Sequence, residues 1–238
     1  MELAIIGYGR MGHEIEKIAL QRGHSIGLII DEDNVSDLNR KNLARIDAAV
    51  EFSLPSTAFN NISACLNYNT PVVSGTTGWQ IDLEVIKTLC ENNKTSFIYS
   101  SNYSIGVNLL FRLNVELAKQ MNKHNEYTVS IEETHHVKKI DAPSGTAISL
   151  AKNIISEHDR YSSWHKGNIT DSDTIPVESI REGEATGTHI VKWSSAIDSI
   201  SLIHDSKSRE GLALGAVVAA EFIAKRIGVF TMKDVMGF

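Results

Sequence analysis

The stretch Gly7-Tyr8-Gly9-Arg10-Met11-Gly12 constrains the fold more than any other part of the chain. It stands between an apolar run at residues 3–6, which reads as a buried strand, and residues 11–21, whose apolar positions recur at helical spacing. Three spaced glycines there permit a tight turn, close approach of backbone to a pyrophosphate and close packing of helix on strand. The helix N-terminus adds N–H donors and a partial positive charge. A second apolar run at 26–30 reaches Asp31, where a carboxylate can accept hydrogen bonds from ribose hydroxyls. Glycines alone would mean only a tight turn; strand, turn, helix, strand and acid in that order mark a dinucleotide-binding unit.

The alternation continues. Residues 48–52, 71–74 and 97–99 read as strands, with helices over 56–67 and 82–92, which implies a parallel sheet covered on both faces. After residue 106 the pattern changes. An amphipathic helix at 109–122 precedes 127–134, where Thr128, Ser130 and Glu132 alternate with Val129, Ile131 and Glu133. Segments 189–193 and 199–204 also alternate with period two, as expected of an open, mostly antiparallel sheet with one packed face. Residues 158–173 read as a long polar loop or flap, and 212–227 as an Ala-rich buried helix returning to the first domain. The expected fold class is α/β: a Rossmann-type domain at 1–105, completed by 210–238, and an α+β domain at 106–209.

Composition is that of a soluble globular protein: of 238 residues 42% are hydrophobic and 22% charged, so disorder and fibrous repetition are excluded. A net charge of −6 argues against nucleic acid or an anionic membrane as partner. Cys65 and Cys90 lack metal or disulfide spacing and read as reduced core or helix residues. The N-terminus has no signal-peptide pattern and no apolar run is long enough to span a bilayer, so a cytoplasmic location is expected.

Asp31-Glu32-Asp33 offers no cation for a 2′-phosphate, which favours NADH, while the Arg10 guanidinium can still reach one; use of NADH, NADPH or both stays open. Gly75-Thr76-Thr77-Gly78 and Ser100-Ser101-Asn102-Tyr103 each follow a strand. Alone each is a turn, but in an open parallel sheet such loops border the ligand.

The richest segment is Glu132-Glu133-Thr134-His135-His136-Val137-Lys138-Lys139-Ile140-Asp141-Ala142-Pro143-Ser144-Gly145-Thr146-Ala147. Ser144 reads as the N-cap of a helix over 147–155, and the N–H groups of Gly145 and Thr146 suit a carboxylate. Histidine titrates near neutrality and lysine can deliver a proton or hold a second carboxylate. The blander reading makes the lysines a solvated pair balancing Glu132 and Glu133. Adjacent histidines in a strand point to opposite faces, so no metal is expected there.

His135-His136-Val137-Lys138-Lys139-Ile140-Asp141-Ala142-Pro143-Ser144-Gly145-Thr146-Ala147 resembles the HHxxKxDAPSGTA signature of the 4-hydroxy-tetrahydrodipicolinate (dihydrodipicolinate) reductase family. Gly9-Arg10-Met11-Gly12, Glu51-Phe52-Ser53-Leu54-Pro55, Asn102-Tyr103-Ser104-Ile105-Gly106-Val107-Asn108, Ile180-Arg181-Glu182-Gly183 and the segment from His204 to Arg209 resemble further family motifs. The resemblance implies NAD(P)H-dependent reduction of a cyclic dicarboxylate in the diaminopimelate route to lysine, by a two-domain homotetramer whose domains close on the substrate. It puts the catalytic histidine at His135 and the proton-donating lysine at Lys139. Substrate binding falls on His136, Ser144, Gly145 and Thr146, with Arg209 assisting. Cofactor contacts fall on Gly7, Tyr8, Gly9, Arg10, Met11, Gly12, Asp31, Phe52, Gly75, Thr76, Thr77, Ser100, Ser101, Asn102 and Tyr103. Departures are the spacing of the glycine turn, a short segment at 34–47, and Ser53 and Tyr103 where Thr and Phe are common. The rival readings are another two-domain dehydrogenase of amino or hydroxy acids and a non-catalytic NAD-sensing module.

Overall fold

The computed structural model describes residues 1–79, 82–168 and 171–238. The chain begins with β1 (Glu2–Ile6), α1 (Arg10–Gln21), β2 (Ser25–Ile30), α2 (Arg40–Leu43), β3 (Ala48–Glu51), α3 (Pro55–Asn67), β4 (Val72–Ser74), α4 (Leu83–Asn92) and β5 (Ser96–Tyr99). It continues with α5 (Ile105–Met121), β6 (Thr128–His135), α6 (Gly145–Glu157), β7 (Ser163–Lys166), β8 (Thr174–Arg181), β9 (Thr188–Ser194) and β10 (Ser199–Asp205). α7 (Glu210–Ile223), β11 (Gly228–Phe230) and α8 (Met232–Met236) end it. Two compact units result, Met1–Ile105 with Arg209–Phe238, and Gly106–Ser208.

In the first unit six parallel strands lie in the order β11-β5-β4-β3-β1-β2. Their side chains alternate between two covered faces, which is why the strands read as continuous apolar runs. Leu3, Ile5, Val50, Val73 and Ile98 pack with α1 and α7, whereas Ala4, Ile6, Ala49, Val72 and Phe97 pack with α3 and α4. Cys65 and Cys90 are free and buried in that second layer. Burial raises both thiols, Cys90 to about 11. Small residues bring α7 close to the sheet: a Cβ on Gly215 would fall 1.7 Å from the Tyr103 carbonyl oxygen.

The second unit is built on an open, mixed sheet of order β10-β9-β6-β8-β7. β6 runs antiparallel to β9 and parallel to β8. Val129, Ile131, Val177, Val191 and Trp193 on one face pack against Leu110 and Ala118 of α5 and Leu150 and Ile154 of α6, while Thr128 and Ser130 are exposed on the other. No helix among the described residues is long and apolar enough to cross a membrane.

Three expectations change. The stretch expected as a loop at 158–173 contains β7, whose sequence Ser163-Trp164-His165-Lys166 carries one apolar side chain and so no strand pattern; Ile169 and Thr170 lie outside the described residues. β8 escapes notice because Pro176 breaks the propensity for a strand. The Ala-rich helix stops at Ile223 instead of 227, and the chain turns to add β11 beside β5.

Candidate active site

The chain steps from β1 to β2 on one side and to β3 on the other, so the loops leaving β1 and β3 diverge and open a crevice at the carboxyl ends of the strands. A cavity of about 510 Å³ occupies this place, lined by Gly7, Gly9, Asp31, Phe52, Ser53 and neighbours. Gly7 adopts φ +89° and donates its N–H to the Ile30 carbonyl; a Cβ there would lie 2.3 Å from the Phe52 oxygen. A Cβ on Gly12 would lie 2.5 Å from the Gly7 oxygen, whereas one on Gly9 would meet nothing within 4 Å. Two glycines therefore fit the loop to the fold, and the third leaves open space in front of the α1 N-terminus. That space suits a pyrophosphate, and exposed Asp31, Glu32 and Asp33 line the cavity end suited to a ribose. Tyr8 lines the cavity too, its hydroxyl donating to Glu16 and its ring 4.1 Å from that of His13. Met11 is half-buried in the first turn of α1, and Arg10 is exposed at its start.

Glu51 organises the loops around this cavity. It is fully buried at the end of β3 and accepts hydrogen bonds from Ser53 N–H at 3.0 Å, Ser74 Oγ at 2.6 Å and Thr76 Oγ1 at 2.9 Å. Thr76 is consequently a fastener of the Gly75 loop, its hydroxyl committed and its carbonyl accepting from Trp79 Nε1. The space beside Gly75 is filled by the Phe52 ring, while Thr77 is exposed. Ser100 Oγ donates to the Asn102 carbonyl and accepts from the Asn102 N–H, closing a tight loop with Ser101 exposed at its tip. Tyr103 is 1% exposed and its hydroxyl donates to the Ser74 carbonyl at 2.7 Å, so its side chain props the loops from beneath.

In the second unit, β6 ends in His135 and the following loop runs into α6. Ser144 caps that helix, its Oγ accepting from Ala147 N–H at 3.2 Å. Exposed Gly145 and half-buried Thr146 form the first turn of the helix. Lys139 Nζ donates to both Asp141 oxygens, at 2.7 and 2.8 Å, which holds the Asp141 carboxyl below its ordinary range. Lys138 is exposed and lies 3.8 Å from Glu184. His136 is half-buried after the strand end. Arg209, expected beside this loop, belongs to the first unit as the N-cap of α7.

Glu133, read in the sequence as one of a balancing acidic pair, is fully buried. Its Oε1 accepts from Ser144 N–H at 3.0 Å and Arg181 Nη2 at 3.2 Å, and its Oε2 lies 3.2 Å from His135 Nδ1. Burial raises its pKa, but the His135 ring beside Oε2 and the hydrogen bonding of Ser144 outweigh that and hold the carboxyl well below the usual range. His189 stands across the strand pair, Nε2 3.2 Å from Ser144 Oγ; burial first, then the charge of His135, push it down to about 4. The signal was present: Glu133 shares the in-facing parity of Val129 and Ile131.

A nucleotide crevice in one unit, with imidazole, ammonium and helix N-terminus gathered at a strand end of the other, fits a dinucleotide-dependent oxidoreductase of a small molecule. Residues 1–103 match the family described as "Dihydrodipicolinate reductase, N-terminus", and residues 106–236 the one described as "Dihydrodipicolinate reductase, C-terminus". The chain belongs to the dihydrodipicolinate reductase family. It is 46% identical to the 4-hydroxy-tetrahydrodipicolinate reductase of Christiangramia forsetii, over 99% of this chain and 98% of that one. It is 30% identical to that of Lawsonia intracellularis, over 99% and 100%. Its fold is similar to a dipicolinate-bound dihydrodipicolinate reductase from Paenisporosarcina sp. TG-14, with a TM-score of 0.81 and 23% identity over 97% of each chain.

Proposed function

We propose that this chain reduces 4-hydroxy-2,3,4,5-tetrahydrodipicolinate to 2,3,4,5-tetrahydrodipicolinate in the diaminopimelate route to lysine. The observation that carries the proposal is the strand-end loop, in which His135 and Lys139 precede a capped helix start suited to a carboxylate. When bound, NADH or NADPH supplies a hydride to ring carbon C4. Lys139 gives a proton to the departing 4-hydroxyl, which leaves as water, and must release Asp141 to do so. His135 takes a C5 proton in that step and returns it to C5 once hydride has reached C4. One hydride and one solvent proton are consumed and one water is released. The N–H groups of Gly145 and Thr146, with His136 and Ser144, bind substrate carboxylate.

The first unit serves as the dinucleotide domain through Gly7, Gly9, Arg10, Asp31 and the loops after β3, β4 and β5; its three exposed carboxylates support NADH over NADPH. The second serves for substrate and self-association. Ile200 and Ile203 on edge strand β10 are 43% and 64% exposed, which supports a homotetramer assembled through this sheet. A biosynthetic reaction drawing on the nicotinamide pool supports a cytoplasmic location.

The test is nicotinamide oxidation with freshly generated 4-hydroxy-tetrahydrodipicolinate and, separately, with oxo-acids. Turnover of the first alone is expected; turnover of oxo-acids points to an amino- or hydroxy-acid dehydrogenase, and cofactor binding without turnover to a sensor. Lys139→Ala should lower kcat by about 10²–10⁴-fold, the range for a lost general acid.

A further inference from the structure

The register of the second sheet brings five polar side chains together on a face that is otherwise apolar. Glu133 pairs across the strands with His189 and Ser179, and His135 pairs with Arg181. Five buried polar atoms in this group have no hydrogen-bond partner among the described residues: Glu133 Oε2, His135 Nδ1, Ser179 Oγ, Arg181 Nε and His189 Nδ1; the first two lie 3.2 Å from each other. A carboxylate can only accept. The proton between them therefore belongs on Nδ1, although the N–H direction is not yet aligned; catalytic hydrogen bonds are often loose before ligand binds.

We propose that Glu133 is a positioning residue: its carboxylate takes the Nδ1 proton of His135 as a hydrogen bond and thereby leaves Nε2 as the basic nitrogen offered to the substrate. The proposal rests on the role given to His135 above. Three features support it. Ser144 N–H and the Arg181 guanidinium hold the other Glu133 oxygen, so the carboxylate cannot swing away. Arg181 is itself tied down, Nη2 to the Asp141 carbonyl at 2.7 Å and Nη1 to the Ile180 carbonyl at 2.7 Å. At the far side of the ring stands Gly187, where a Cβ would come within 3.0 Å of Nε2, so the glycine keeps that nitrogen clear. A metal ion is the competing occupant, since ligand atoms of Glu133, His135 and His189 lie within 4.8 Å of one another. Arg181 already neutralises the group's one carboxylate, so a divalent cation would meet no net negative charge, whereas a proton shared by Glu133 and His135 needs none.

The charged and titratable groups around His135 are Glu133 on its own strand, Arg181 on β8, His189 on β9, and Lys139 and Asp141 on the following loop. Nitrogen NMR of the wild-type protein labelled at histidine reads the tautomer directly: an Nδ1-protonated His135 is expected, and an Nε2-protonated one overturns the proposal. Glu133→Gln keeps the shape and removes the charge. It should lower kcat at least about tenfold with KM within about threefold, and move the acidic limb of the kcat profile about one pH unit lower, because a base that has lost its anion is easier to deprotonate. A fall in kcat with the acidic limb unmoved makes Glu133 merely structural and overturns the proposal. A Glu133→Gln rate within about threefold of wild type overturns it as well; if His135→Gln is meanwhile slowed at least about a hundredfold, the role of His135 survives. A fully active His135→Gln removes both.

Discussion

Gly9→Ala separates stability from ligand binding in the glycine turn. The added methyl meets nothing within 4 Å, and Gly9 has φ −80°, which alanine adopts freely. As N-cap of α1, alanine is worse than glycine by up to about 1 kcal/mol, but it also stiffens the unfolded chain, returning about 0.4–1 kcal/mol. The net change should stay within about 0.5 kcal/mol, or about 2 °C in Tm for a chain of this size. Binding should behave otherwise. The methyl projects into the space in front of the helix N–H groups, so a dinucleotide pyrophosphate would have to retreat, and a loss of at least tenfold in NADH affinity, about 1.4 kcal/mol, is expected. Thermal melts by circular dichroism and NADH titration by fluorescence check the two halves. Gly7→Ala is the contrast: its φ of +89° and the Phe52 oxygen 2.3 Å from the new Cβ predict a destabilised protein. If Gly9→Ala binds NADH within threefold of wild type, this glycine does not make room for the cofactor. If it melts far below wild type, the packing argument is wrong.

Gly215→Ala should cost about 3 kcal/mol or more, because the Tyr103 backbone stands 1.7 Å from the new methyl and neither α7 nor the loop can yield cheaply; a Tm lower by about 6–12 °C is expected, and an unchanged melt refutes it. Acid should weaken the fold through His189, whose pKa falls from 6.5 to about 4 on folding. The unfolded chain then binds the extra proton between those values, so stability is full above about pH 6.5 and about 3 kcal/mol is lost as pH falls toward 4. Denaturant titrations across that range should show this loss shrinking in His189→Gln; an identical loss counts against burial of His189 as its source.

The first unit was readable because its signals are local. A run such as Leu3 to Ile6 with glycines behind it needs no knowledge of the rest of the chain, and both faces of the parallel sheet demand apolar side chains. The second unit was readable only in part. Edge strand β7 owes its existence to pairing with β8, not to its own residues, and β11 is three residues long beside an existing edge. At the site, His135, Lys139 and Ser144 stood out by residue type and spacing. The buried ends of Glu133 and Glu51 did not, since a carboxylate in a strand reads as a solvated one until the partners that satisfy it are known. For Glu133 parity alone was a clue; for Glu51, between Val50 and Phe52 in a strand buried on both faces, there was none. The burial of Tyr103 was hidden for a related reason: a residue in a ligand-bordering loop can point down into the core as readily as up.

The first unit is closed by the last segment of the chain, and synthesis order gives that arrangement a cost. While Gly106–Ser208 emerges, the free edge of β5 has no β11 to pair with, and Leu3, Ile5, Val50, Val73 and Ile98 have no α7 to cover them. At roughly 5–20 residues per second the nascent nucleotide unit waits roughly 7–25 s for its final strand and helix. Until then a growing chain carries an unfinished, adhesive sheet in the half that was made first.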